Sequence, residues 1–431
     1  MRHYRHMLRT QYDDTEAARA RQTQALRSLL DHACRTVPFW RDRVQAVHLR
    51  PEDIHSVSDI AALPLLTKAD LREQGERLLS TAYSKELLHR HSTSGSTGVS
   101  VTTYRDDNCQ QFKRAATLRA DEWSGWRRGE RVACIWGNPQ IRTSWRGRLR
   151  NRLLDRHYLH LDTLKMDLSR MEAFVDGMVR TPPSLLFGHA HSLYLLANFV
   201  SLQRPNAQLR PKAIISTCMV LHDFERRRIE DVFECKVTNR YGCEEVSLIA
   251  CECDRHEGLH VNSDCLYVEI INDRGEPCPP GTPGRVIVTD LTNRAMPIIR
   301  YEVGDMASWA GKQCSCGRTL RLLKQVEGRV ADYVVTRRGE YISGISLTEN
   351  FALQVPGVVQ MQIVQEKVDR FVYNIVRDQD FDESSLKRIT ALTTQRFGSD
   401  AHYECRFVDR IPQEASGKYR FCISKVQLSL G

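Results

Sequence analysis

The chain has 431 residues, of which 41% are hydrophobic and 27% charged, with a formal net charge of +9. That length can bury one large core and a second, smaller one. No apolar run approaches the ~20 residues of a membrane helix, the N-terminus lacks an apolar signal region, and no nucleic-acid motif accompanies the dispersed positive charge, so a cytoplasmic protein without membrane or nucleic-acid partners is expected.

In chain order, apolar residues at three- and four-residue spacing predict a helix from Thr15 to Cys34, and a loop then runs to Pro64. The run His91-Ser92-Thr93-Ser94-Gly95-Ser96-Thr97-Gly98 combines glycines with hydroxyls, which lets backbone N–H groups approach a polyphosphate. An ordinary solvated loop is the plain alternative. It is not a Walker loop, because no Gly-Lys-Ser/Thr follows. Short apolar runs at Val132–Ile135, Ser184–Phe187 and Ala213–Ile215 then alternate with helical segments at Met171–Val179 and Ser192–Val200. That alternation predicts an α/β fold with parallel strands and crossover helices. The basic runs Arg127-Arg128 and Arg226-Arg227-Arg228 read as helix surface. From about Tyr267 the pattern turns to β, with strands Leu266–Ile271 and Gly284–Thr289 around a turn at Asn272-Asp273-Arg274-Gly275. A compact α+β segment follows from Ala331, its helix predicted over Glu383–Phe397.

Four further segments follow the glycine loop: Tyr241-Gly242-Cys243-Glu244-Glu245, Arg300-Tyr301-Glu302-Val303-Gly304-Asp305, Gly328-Arg329-Val330-Ala331-Asp332 and Pro412-Gln413-Glu414-Ala415-Ser416-Gly417-Lys418. In this order the set resembles the adenylate-forming superfamily of acyl-coenzyme A ligases and adenylation domains. The segments are similar, in turn, to its Tyr-Gly-x-Thr-Glu segment for adenosine and magnesium, its ribose segment, its hinge and its catalytic-lysine loop. Val37-Pro38-Phe39-Trp40-Arg41, Leu63-Pro64-Leu65-Leu66-Thr67-Lys68 and Cys253 to His260 resemble the phenylacetate-coenzyme A ligase branch, including its capsule-biosynthesis members.

The resemblance implies a large N-terminal domain over 1–329, with mixed or parallel sheets, flanking helices and a β-rich subdomain, and a small mobile α+β domain over 330–431. It implies an ATP-dependent ligase that converts a carboxylic acid, an aryl or similar small acid, to an acyl-adenylate and passes it to coenzyme A. A carrier-protein thiol or an amine is the alternative acceptor, and a non-catalytic nucleotide-binding member is the alternative outside catalysis. Lys418 would bridge carboxylate and α-phosphate, Glu245 would hold magnesium, and Asp305 would accept from the ribose hydroxyls. Ser94, Gly95, Ser96, Thr97, Gly98, Tyr241, Gly242, Glu244 and Arg329 would complete the nucleotide site. Trp136, His189, Ser216, Thr217 and Cys218 would line the acyl pocket, at the strand ends where α/β sheets place ligands. For each, a loop lysine, a surface ion pair or a core side chain is the ordinary alternative. Two departures stand out: Glu244 replaces the threonine and Ala331 occupies the hinge. A homodimer completes the list of expected partners.

Cysteine usage is a separate signal. Fourteen cysteines without a secretory leader point to free thiols or metal ligands rather than disulfides. They cluster at Cys251-Glu252-Cys253, near His256 and His260, and at Cys314-Ser315-Cys316. Soft thiolates with an imidazole suit a closed tetrahedral structural zinc, with Cys253, His260, Cys314 and Cys316 preferred, Cys251 and His256 as substitutes, and reduced thiols as the alternative.

Overall fold

In a computed structural model the described residues are 1–92, 101–136, 158–163, 168–329, 333–335, 341–343, 354–412, 420 and 422–426, with Leu347 and Phe351. Among them an 11-stranded sheet dominates. One half is parallel, running from Tyr158–Asp162 through Val132–Trp136, Leu185–His189 and Ala213–Thr217 to Val237–Cys243. The other half is antiparallel, continuing through Ser247–Glu252, Leu259–Val261, Leu322–Arg329, Tyr301–Trp309 and Gly284–Asp290 to Leu266–Ile271. Crossover helices Leu168–Arg180, Ala190–Gln203 and Asp223–Phe233 explain the parallel half, since parallel neighbours need a long connection that a helix supplies. Their apolar stripes bury Val175, Leu193, Leu196 and Ile229 against Ile135, Leu186 and Ile214 of the strands. The Asn272 turn forms as expected: its Oδ1 accepts from the amides of Arg274 and Glu276, both at 2.9 Å.

Two readings change. Residues 38–46 are not loop but a helix, Pro38–Ala46, because Pro38 sits in the first turn, where its fixed φ suits a helix and its missing N–H costs nothing. That helix buries Trp40 completely, and its indole donates to Pro297 O at 2.8 Å. Arg226, Arg227 and Arg228 do lie on a helix, whereas Arg127 and Arg128 fall in the irregular segment after Trp123. The Leu63–Lys68 segment also finds its reason here. Leu66 exchanges backbone hydrogen bonds with Arg300 and Glu302, both 2.9 Å, bracing the start of the strand Tyr301–Trp309.

The C-terminal part has its own four-stranded sheet, ordered His402–Phe407, Arg370–Arg377, Val358–Lys367 and Cys422–Ser424, and its own core. The helix Glu383–Phe397 occupies the predicted span, started by Asp382, whose Oδ1 accepts from the amides of Ser384 and Ser385. No described helix is long and apolar enough to cross a membrane.

Candidate functional site

The strand Val237–Cys243 is the seam of the large sheet, parallel to Ala213–Thr217 on one side and antiparallel to Ser247–Glu252 on the other. The Tyr-Gly-Cys-Glu-Glu segment lies at that seam, so Glu245 stands in a strand-to-strand turn. The pairing shifts register between Tyr241 and Gly242. A Cβ on Gly242 would come within 2.5 Å of Ser247 O, so only glycine lets the two strands approach this closely. Gly242→Ala is therefore expected to cost about 1–3 kcal/mol by overpacking and to weaken nucleotide binding. A thermal melt and an ATP titration of the variant check both effects.

Glu245 is buried and accepts from Tyr301 Oη at 2.9 Å. Nearby, Asp305 Oδ2 accepts from Tyr241 Oη at 2.8 Å. Burial first, and then the facing carboxylates, pushes both phenols far up, so each remains a donor. Arg105, itself buried, gives Nη2 to the carbonyls of Glu244 and Glu245, at 3.3 Å for the latter, and so clamps the turn from below. Glu244, the residue in place of threonine, is half-exposed and pairs with His91 Nδ1 at 2.9 Å, while His91 Nε2 meets Gln110 Oε1 at 3.2 Å. The His91 hydrogen bond holds the Glu244 carboxyl below its ordinary value. The extra carboxylate thus has a local hydrogen-bond partner.

The strand carrying Asp305 pairs with Leu322–Arg329, and Asp305 lies directly opposite Arg329 in register. The side chain of Arg329 lies outside the described residues, as do Ser94, Gly95, Ser96, Thr97, Gly98, Ala331, Asp332 and Lys418. The strands that bound the glycine loop, His89–Ser92 and Thr102–Arg105, pair antiparallel, with Ser92 opposite Thr102. His91 ties this pair to the Glu244 turn.

At the C-terminal ends of the parallel strands, Trp136 stacks on Phe187 at 5.4 Å and meets the His189 ring at 4.4 Å. Thr217 pairs with His189 across neighbouring strands, and Cys218 follows with φ +66°. Ser216 alternates to the opposite face with Gly188, whose added Cβ would meet Leu193 of the crossover helix at 3.3 Å. Ser216 is fully buried there. The expected acyl residues therefore split between two faces of the sheet.

A second constellation is the thiol cluster. The ligand atoms of Cys253, His260, Cys314 and Cys316 all lie within 4.8 Å of one another. Cys253 Sγ is 3.6 Å from Cys314 Sγ, and Cys316 Sγ is 3.3 Å from His260 Nε2. The amides of Arg255 and Arg318 point at the sulfurs of Cys253 and Cys316, at 3.5 and 3.4 Å. Burial and then Arg318 push His260 down to about 4, leaving the neutral imidazole that ligates metals. Burial works to raise Cys316, yet the hydrogen bonds from Arg318 hold it below its ordinary value. The substitutes stand aside: Cys251 is fully buried within its strand, and His256 Nδ1 pairs with Glu252 at 3.1 Å.

Residues 334–425 match the family model described as the CapK C-terminal domain. The chain is 22% identical over 414 residues to Protein CapK of Staphylococcus aureus, covering 94% of this chain and 89% of that protein. It is 24% identical over 379 residues to a phenylacetate-coenzyme A ligase of Thermus thermophilus, covering 86% and 81%. Among solved structures it resembles a 2-hydroxyisobutyryl-CoA ligase in complex with an acyl-AMP, with a TM-score of 0.76 and 17% identity over 96% of this chain and 91% of that one. The chain thus has the fold of the adenylate-forming enzymes, and its sequence is similar to the branch that the motifs suggested.

Proposed function

We propose that the chain is an AMP-forming acid–thiol ligase. A carboxylate oxygen attacks the α-phosphorus of ATP, forming the acyl–phosphate bond as the bond to the β-phosphate breaks, and pyrophosphate leaves with the electron pair. A thiol, in this reading that of coenzyme A, then displaces AMP. The observation that carries the reading is the paired placement of Glu245 under Tyr301 and Asp305 under Tyr241 at the seam of the sheet. It gives one buried carboxylate a fixed orientation beside a second that suits vicinal ribose hydroxyls. The likeness to coenzyme A ligases over most of the chain supports it.

Glu245 would hold magnesium, a hard cation that neutralises phosphate charge and suits a carboxylate with free lone pairs. Lys418 would meet the reacting carboxylate and the α-phosphate, and a small domain from residue 330 would carry it in and out between the two half-reactions. Pyrophosphate release that requires both ATP and one class of acid tests the assignment, and coenzyme A dependence of the final product tests the acceptor. Release that proceeds without acid, or not at all, would refute it.

The four-residue thiol cluster would hold structural zinc, joining the loop after the strand Ser247–Glu252 to the loop before Leu322–Arg329. The closed soft set leaves no position for substrate. Replacing Cys314 and Cys316 together by serine is expected to remove one zinc per chain and lower the melting temperature by roughly 10 °C. Metal analysis and calorimetry decide it; metal-free protein of unchanged stability would show plain thiols.

A further inference from the structure

A cavity of about 370 Å³ lies between the helix Asp107–Trp123 and the turn that carries Glu244 and Glu245. It is large enough for a small organic acid. Its wall includes Arg105, Arg114, Leu118, Asp121, Trp126 and Glu244. Arg240, held between Asp121 at 2.7 Å and the Phe187 ring at 5.0 Å, joins this wall to the Trp136–Phe187–His189 stack.

The carboxylates of the wall already have partners. Asp121 has Arg240 and Glu244 has His91, while the cation Lys113 at the same wall has the buried Asp290 at 2.8 Å. Two guanidiniums remain without an ion pair of their own, although Arg105 feels the half-exposed Glu244 carboxylate. Arg105 is 3% exposed and, among the described residues, donates only to backbone carbonyls and keeps a buried Nε without a partner. Arg114 is exposed beside it and has no carboxylate partner among the described residues. A buried cation answered only by one half-exposed carboxylate is incompletely compensated, and a ligand anion would complete its partnering. Leu118 and Trp126 add an apolar wall that a triphosphate has no use for but a carbon skeleton does.

We propose that this cavity is the acid pocket and that it selects acids with a second anionic group, of the short dicarboxylate class, whose remote carboxylate is answered by Arg105 and Arg114. The proposal rests on the ligase reading above, and it places the reacting carboxylate toward the Glu245 turn.

Trp126 supplies a readout that needs no turnover. Its fluorescence in the full chain, with Trp126→Phe as control, is titrated with succinate, glutarate and phthalate against butyrate and benzoate, before and after Arg114→Gln. Arg114 is exposed, so the variant keeps the fold. Dicarboxylates are expected to bind at least tenfold more tightly than their matched monoacids, and Arg114→Gln to erase most of that margin while leaving monoacid and ATP binding in place. Equal affinities overturn the proposal, as does a variant that weakens ATP instead, which would assign the cations to the triphosphate. Dicarboxylate binding without acid-dependent pyrophosphate release would refute the ligase reading and leave the anion pocket standing; release with monoacids alone would do the reverse.

Discussion

Replacing Lys418 by alanine is expected to slow acid-dependent pyrophosphate release by about two to three orders of magnitude, the usual loss when one positioned donor to a developing charge is removed. Attack on the α-phosphate brings two anions together, and a compact ammonium placed between them would stabilise the charge as they react. ATP affinity should change little, and transfer from a preformed acyl-adenylate to the thiol should proceed near the normal rate. Lys418→Arg should not restore activity, because a planar guanidinium cannot occupy the place of a compact ammonium. Measuring the two half-reactions separately decides the matter. Equal loss in both would make Lys418 a scaffold residue.

Glu245→Gln should be nearly as damaging, at roughly a hundredfold, because it keeps the volume and a hydrogen-bonding oxygen for Tyr301 but removes the charge that a divalent cation needs. The loss should appear as a raised magnesium requirement. Tyr301→Phe should cost far less, about 1 kcal/mol or roughly fivefold, because it only frees the carboxylate to rotate. A magnesium titration of the three proteins orders them. If Tyr301→Phe proves as damaging as Glu245→Gln, charge at Glu245 is not the operative property.

Much of this site was legible because its parts are local in sequence. The Tyr-Gly-Cys-Glu-Glu and Arg300–Asp305 segments each hold their residues at fixed spacing, and the antiparallel strands around Asn272 carry their turn chemistry openly. The thiol cluster was legible for a chemical reason, since closely spaced cysteines with a nearby histidine offer soft ligands at metal-binding spacing. What escaped was the pairing across distance. Tyr301 lay inside a quoted segment, yet nothing in its spacing says that its hydroxyl meets Glu245, 56 positions away. Arg105 carried no motif at all, and the partnership of His91 with Glu244 spans 153 positions. Ser216 shows another limit: strand alternation turns every second residue away, so Ser216 and Gly188 lie on the face opposite His189 and Thr217. The helix Pro38–Ala46 was missed because its proline reads as a breaker unless it occupies the first turn.

The central claim is adenylation of a carboxylic acid, and the most direct measurement is pyrophosphate release with ATP and magnesium across matched mono- and dicarboxylic acids, with Lys418→Ala beside the native chain. The account predicts release for one acid class, its collapse in the variant, and a thioester when coenzyme A is added. ATP binding with no release for any acid, or release indifferent to Lys418, would contradict it.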